Sequence, residues 1–287
     1  MANTFLTCQE IARAALPLLH ENLVFPALAY KDYSNEFKAK GDTIQVRKPA
    51  KFSAVEFTDA IAPQDTSEGN VLVKLDKIAD VSTVLTAKEM ALNIEDFTAQ
   101  VVQPAMMAIA EKINRDGLML YKDITNTTGT AGTTPSTLAD IANAAKVLNQ
   151  NKAPMDGRAA IWDAEALAKF QTLDAVAHAD KSGSTAALRE GSIGRLLGID
   201  NYMSQAVAQD AEGSFTANLV FHKNAFAFVN RPLEVAHGVE SYVTSYNGLS
   251  IRVTMGYDIT TKKQTLSIDC LYGYKTLYPE LACVVKG

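Results

Sequence analysis

Residues 41 to 87 constrain this chain more than any other stretch, because their pattern specifies a pair of strands too long to stand alone. Lys40-Gly41-Asp42 reads as a turn, and Thr43-Ile44-Gln45-Val46-Arg47-Lys48 alternates polar with apolar, which on a strand sets Ile44 and Val46 on one face. An acidic loop bearing Pro and Gly follows from Thr58 to Asn70. Val71, Val73 and Leu75 then alternate again, and Val81 to Leu85 runs apolar toward a helix. The simplest reading is a long two-stranded arm. An isolated ribbon is marginally stable in water, so the arm must lie against another surface, and a second copy of the same chain is the surface expected.

Composition narrows the class of protein. With 47% hydrophobic residues and nine prolines in 287, the chain folds as one large domain or two and is not disordered. A net charge of -5 argues against a freestanding nucleic-acid binder, whose affinity comes from clustered Lys and Arg. Cys8, Cys270 and Cys283 are odd in number and lack metal or redox spacing, so core thiols in a reducing compartment are expected. The N-terminus lacks the pattern of a signal peptide, and no run approaches the ~20 apolar residues of a membrane helix. No membrane association is expected.

The remaining elements follow from local signals. Thr7 with Glu10 makes a capping box for an amphipathic helix carrying Ile11, Ala14, Ala15, Leu18 and Leu19, ended by Leu23 to Pro26. Tyr30, Tyr33 and Phe37 punctuate the polar segment after it. Both an arm anchored on a neighbour and a helix folded onto its own core fit this pattern. Phe97, Val101, Ala105, Ile109 and Ile113 predict the longest helix, which Pro104 should kink or restart. Thr125 to Ser136 is a Thr/Gly-rich joint and the best domain boundary. Beyond it come a helix from Thr137 to about Leu148, a strand at Arg158 to Trp162, a helix at Ala164 to Phe170, a loop at 178 to 191, and a strand at Asn218 to Phe221. That alternation is mixed α/β. Leu249 to Met255 and Thr265 to Tyr272 predict a long hairpin about a turn at Asp258 to Lys263, and Leu281 to Val285 is a last strand.

No catalytic constellation emerges. His20, His178, His222 and His237 are scattered without zinc-site spacing, there is no nucleophile elbow, and both phosphate-loop and dinucleotide signatures are missing. Trp162 ends an apolar strand and reads as a core residue. Neither a cofactor nor a metal is expected, and the chain is read as no enzyme. Arg47, Lys48 and Lys51 at the foot of the arm are either a solvated strand face or one half of a subunit interface. In the second case their partners are the Asp59 to Glu68 loop, or the helix start at Glu95 and Asp96, of a neighbouring copy, where complementary charge sets register.

The order of arm, extended hairpin, long helix, mixed α/β region and late hairpin resembles the major capsid (coat) protein family of tailed bacteriophages, which shares the Hong Kong 97-type fold. The likeness is carried by Ile11 to Leu19 with Glu21 to Val24, and by Phe37-Lys38-Ala39-Lys40-Gly41-Asp42-Thr43-Ile44-Gln45-Val46-Arg47-Lys48-Pro49. It continues in Val102-Gln103-Pro104-Ala105, in Ile193-Gly194-Arg195-Leu196-Leu197-Gly198-Ile199, and in Phe221 to Phe228 leading to Arg231-Pro232-Leu233. These blocks look most like the podovirus coat branch. The resemblance implies an α+β chain with an N-terminal arm at 1–40, an extended β-hairpin loop at 41–92, a peripheral domain at 93–125 and 236–278 that contains the long spine helix, and a mixed α/β axial domain at 126–235 and 279–287. It further implies self-assembly through hexamers and pentamers into an icosahedral virion shell around double-stranded DNA, held without sequence-specific contacts and built in the cytoplasm of a host bacterium. A scaffolding protein and a portal are implied partners, and the shell is stabilised either by the arm and loop alone or by a separate decoration protein. An encapsulin-like compartment is the alternative within the same fold. A hydrolase or transferase built on 126–235 is the alternative of another class.

Overall fold

The computed structural model describes residues 7–31, 43–47, 69–85, 97–177, 193–210, 213–235, 237–246, 248–260 and 263–287. Three sheets and a long helix organise them.

Helix α1 (Cys8–Asn22) starts where the capping box requires: Thr7 Oγ1 accepts from Glu10 N and Thr7 N donates to the Glu10 carboxylate. Its apolar stripe, Ile11, Ala12, Ala15, Leu16 and Leu19, is fully buried against the chain's own helix and sheet. Of the two readings the sequence left open, the structure therefore places α1 in its own core and not out on a neighbour. Two side chains from distant elements fix its ends. Glu240 Oε1 accepts from Cys8 N at 3.0 Å, adding an anion at the helix N-terminus. At the far end Asn114 Oδ1 accepts from Val24 N and Phe25 N, while its Nδ2 donates to Asn22 O. The short helix α2 (Phe25–Leu28) then sets Phe25 among Phe221, Phe226 and Tyr274, with ring centroids 5.4 to 5.6 Å apart.

The expected long helix runs in three pieces. A π-helical turn at Thr98–Val102 leads into α3 (Gln103–Leu118), and a tighter 3-10 turn at Met119–Asp123 ends it. Pro104 sits in the first turn of α3, where its missing N–H is harmless, and the register change falls just before it: Gln103 N reaches back five residues to Thr98 O. The helix is restarted there.

A five-stranded antiparallel sheet lies against α1 and α3. Its order is β10 (Glu240–Tyr246), β11 (Leu249–Asp258), β12 (Lys263–Thr276), β3 (Lys77–Leu85), with β9 (Phe226–Arg231) pairing the last third of β12. The predicted hairpin is β11–β12, in register from Asp258↔Lys263 to Arg252↔Asp269. Strand β3, within the stretch read as the extended loop, is a member of this sheet through Leu85↔Gln264 to Lys77↔Tyr272.

The second sheet, of six strands, is ordered β4 (Thr127–Gly129), β13 (Ala282–Lys286), β8 (Ala217–His222), β5 (Arg158–Trp162), β7 (Ile199–Met203), β6 (Arg195–Leu196). Every residue of β5 and β8 is buried, because both faces are covered. Ala159, Ile161, Leu219 and Phe221 enter the core shared with α1 and α3, while Ala160, Trp162 and Val220 face the second core under α4 (Leu138–Gln150) and α5 (Ala164–Gln171). The joint at Thr125 to Ser136 is tied down where Thr127–Gly129 pairs in parallel with Val284–Lys286.

The third sheet is the foot of the arm. Strand β1 (Thr43–Arg47) pairs antiparallel with β2 (Asn70–Lys74) from Thr43↔Lys74 to Arg47↔Asn70. Ile44 and Val46 share a buried face with Val73 and Leu75, as the alternation requires. What covers that face is the chain's own Ala227, Val229 and Leu277. The foot of the arm thus lies on its own body, contrary to the expectation of a second copy there; residues 48–68 lie outside the described residues. Gly273 makes the crossing possible, since a Cβ at this position would stand 1.9 Å from Lys74 O.

Candidate functional site

The chemistry-bearing side chains are dispersed and largely consumed by structure. Among the described residues no group of three or more His, Cys, Asp and Glu is placed to hold a metal ion. All three thiols are buried, as core thiols should be. Burial pushes Cys8 and Cys270 up to about 12, with the Glu240 carboxylate adding to the effect at Cys8, so neither is a thiolate at neutral pH. His222 ends β8 in the interior, its Nδ1 accepting from Asn224 N at 3.3 Å, and burial holds its pKa below the ordinary value. Trp162 is fully buried, donates to Asn201 Oδ1 at 2.8 Å and stands edge-on to Phe170. His178 lies outside the described residues.

Polar groups instead lock the elements to one another. Asp116 on α3 accepts from Tyr272 Oη at 2.7 Å and lies 3.2 Å from Lys77 Nζ and 3.7 Å from Lys112 Nζ, so one carboxylate joins the long helix to β12 and β3. Burial pushes its pKa up, but the Tyr272 hydroxyl and the two ammonium groups outweigh burial and leave it below the usual carboxylate value. Arg252 holds Asp269 with both ends of its guanidinium, Nη2 to Oδ2 at 2.6 Å and Nε to Oδ1 at 3.0 Å, and gives Nη1 to Glu234 O. Asp80 stands directly across β3–β12 from Asp269 and accepts from Ser82 and Ser267. The Arg252 to Asp269 pair was within reach of sequence reasoning, because the hairpin register counted outward from the Asp258 to Lys263 turn sets them opposite. Asp116 had no such signal.

The candidate functional surfaces are therefore the exposed apolar ones. Leu72 on the foot, Tyr257 and Ile259 at the end of the β11–β12 hairpin, and Leu197, Tyr202 and Met203 on the β6–β7 hairpin are all more than two-fifths exposed. Single exposed apolar side chains are ordinary on a protein surface, so these positions are candidates for association and not sites in themselves. Of the residues proposed for a charged interface, the structure places Arg47 at the end of β1, across from Asn70. Lys48, Lys51, Asp59, Glu68, Glu95 and Asp96 lie outside the described residues.

Residues 209–285 match the family model described as P22 coat protein, gene protein 5. No curated protein sequence matches the chain. Among solved structures, the chain is similar to one from Mycobacterium phage Che8, with a TM-score of 0.69 and 20% identity over 92% of this chain and 90% of that one. The capsid structure of the cyanophage P-SCSP1u gives 0.60 and 16% over 86% and 84%. An encapsulin, SrpI from Synechococcus elongatus PCC 7942, gives 0.52 and 11% over 86% and 82%. The fold is thus the Hong Kong 97-type capsid fold.

Proposed function

We propose that this chain is the major capsid protein of a tailed double-stranded DNA bacteriophage, assembling into the shell that encloses the genome. The observation that carries the reading is the coat-protein match over residues 209–285, seated in a capsid fold that covers most of both chains. Strands β10, β11 and β12 with α3 are assigned to the peripheral domain and the six-stranded sheet with α4 and α5 to the axial domain, with boundaries near 125, 235 and 278; β3 of the extended loop and β9 of the axial stretch both pair with β12. Arg47, Lys48 and Lys51 are assigned to pair with Asp59, Glu68, Glu95 or Asp96 of a neighbouring copy, setting register more than affinity. A scaffolding protein, a portal and a decoration protein are the partners assigned, assembly takes place in the host cytoplasm, and the role is not enzymatic. A net charge of -5 suits a wall that contains DNA without gripping it.

The likeness to the SrpI encapsulin supports a second reading, a compartment for a protein cargo. Expression of the chain with and without a candidate scaffolding protein, followed by negative-stain microscopy and a nucleic-acid assay, separates the two. Closed shells enclosing nucleic acid favour the virion, shells enclosing protein favour the compartment, and a monomer under every condition overturns both.

A further inference from the structure

We propose that Leu197 is an assembly anchor, a side chain held in a strained turn so that it is buried against a second copy of this chain. The inference rests on the shell reading above and names one contact within it.

The β6–β7 hairpin turns through Leu197 and Gly198, with φ +51° and +79°. A two-residue turn with both φ values positive is ordinarily filled by Asn, Asp or Gly, because a Cβ in the left-handed region crowds the following carbonyl. Leucine here is disfavoured locally, and it is disfavoured again by standing 53% exposed. Among the described residues Lys152 is the one other non-glycine with positive φ, and it follows the end of a helix, where such a residue is common. Strain kept at an exposed apolar side chain points to function.

The turn is held rigidly. Asn201 Nδ2 donates to Gly194 O and Ile199 O, and its Oδ1 accepts from the buried Trp162. Arg195 gives Nη2 to Gly198 O and neutralises Asp200 within the same hairpin. The backbone that carries Leu197 is therefore braced, which leaves less ordering to do on contact.

The surroundings fit an identical partner. Leu197 walls a shallow depression of about 550 Å³ with Ala142, Ala145, Asn149 and Gln150 of α4, in which Lys146 is the one charged residue among the described residues. By contrast the exposed face of α3 carries Glu111, Lys112 and Arg115. Depletion of charge distinguishes the core of a protein interface from the rest of a surface. A rim with so little charge suits an apolar partner surface, and in a shell that surface belongs to another copy of this chain.

The test compares L197N and L197M with the wild type, each as full chain. Asparagine suits the turn, so L197N should raise the monomer's melting temperature by about 2–4 °C while raising the concentration needed for assembly about tenfold. L197M should assemble like the wild type. Assembly of L197N at the wild-type concentration overturns the proposal and leaves the shell reading intact. A melting temperature lowered in L197N also overturns it, because Leu197 then serves its own chain. A wild type that never associates overturns both.

Discussion

The foot of the arm and the β6–β7 hairpin are both antiparallel pairs, the first a two-stranded sheet of its own and the second at the margin of the six-stranded sheet, and both carry apolar side chains. In the foot, Ile44, Val46, Val73 and Leu75 are buried, under cover from Ala227, Val229 and Leu277 of the same chain. At the hairpin tip, Leu197 stands in water in a backbone conformation unsuited to it. The inner face of the foot, which in sequence looked as if it needed a neighbour, is covered within the chain, while Leu72 on its outer face is as exposed as Leu197. The hairpin, which sequence barely marks, presents an exposed apolar side chain in a backbone conformation that disfavours it. Completion of burial within the chain, more than the exposed appearance of a ribbon, identifies which surface awaits another copy.

That contrast can be broken by substitution. The largest effect is expected at Gly273: in G273A the new Cβ meets Lys74 O, and displacement of the foot should lower stability by about 3 kcal/mol in chemical denaturation. An unchanged midpoint would mean that the foot is loosely seated. Truncation within the foot comes next, with V73A losing about 2 kcal/mol and L72A, exposed on the opposite face, within about 0.5 kcal/mol. Equal effects would erase the distinction between the two faces.

N114A, which orphans Val24 N and Phe25 N, should cost about 1–3 kcal/mol and expose α1 to proteolysis before the sheets.

Acid should act in two windows. His222 has a lowered pKa in the folded state, so below its unfolded value of about 6.5 the unfolded chain binds more protons and stability falls with pH. Asp116 is also lowered; its contribution is complete above the ordinary carboxylate value and is lost as pH falls through the folded one. The six-stranded sheet is therefore the first to weaken on acidification, and H222N, whose Oδ1 takes the place of Nδ1, should flatten the melting temperature between pH 7 and 5. A wild-type curve already flat there would contradict the assignment.

Much of this was legible from local chemistry. The capping box at Thr7 and Glu10, the apolar runs of β5 and β8, the Asp258 to Lys263 turn and the Thr137 helix start each declare themselves within a few residues, and each element stands where expected. What failed was non-local. No short window shows that Leu277 and Val229 return to cover the foot, or that Asp116 reaches Tyr272 across 156 positions. The hairpin lies between: Leu196-Leu197-Gly198 contains a leucine where a tight turn prefers asparagine, a signal that appears once β6 and β7 are known to pair.

The most direct test of the account is a reconstruction of the assembled particle by cryo-electron microscopy at side-chain resolution. The foot should remain on its own Val229 and Leu277 in every copy, with Leu197 buried on the neighbouring chain. A foot exchanged onto a neighbour, or Leu197 facing solvent throughout the shell, would contradict it.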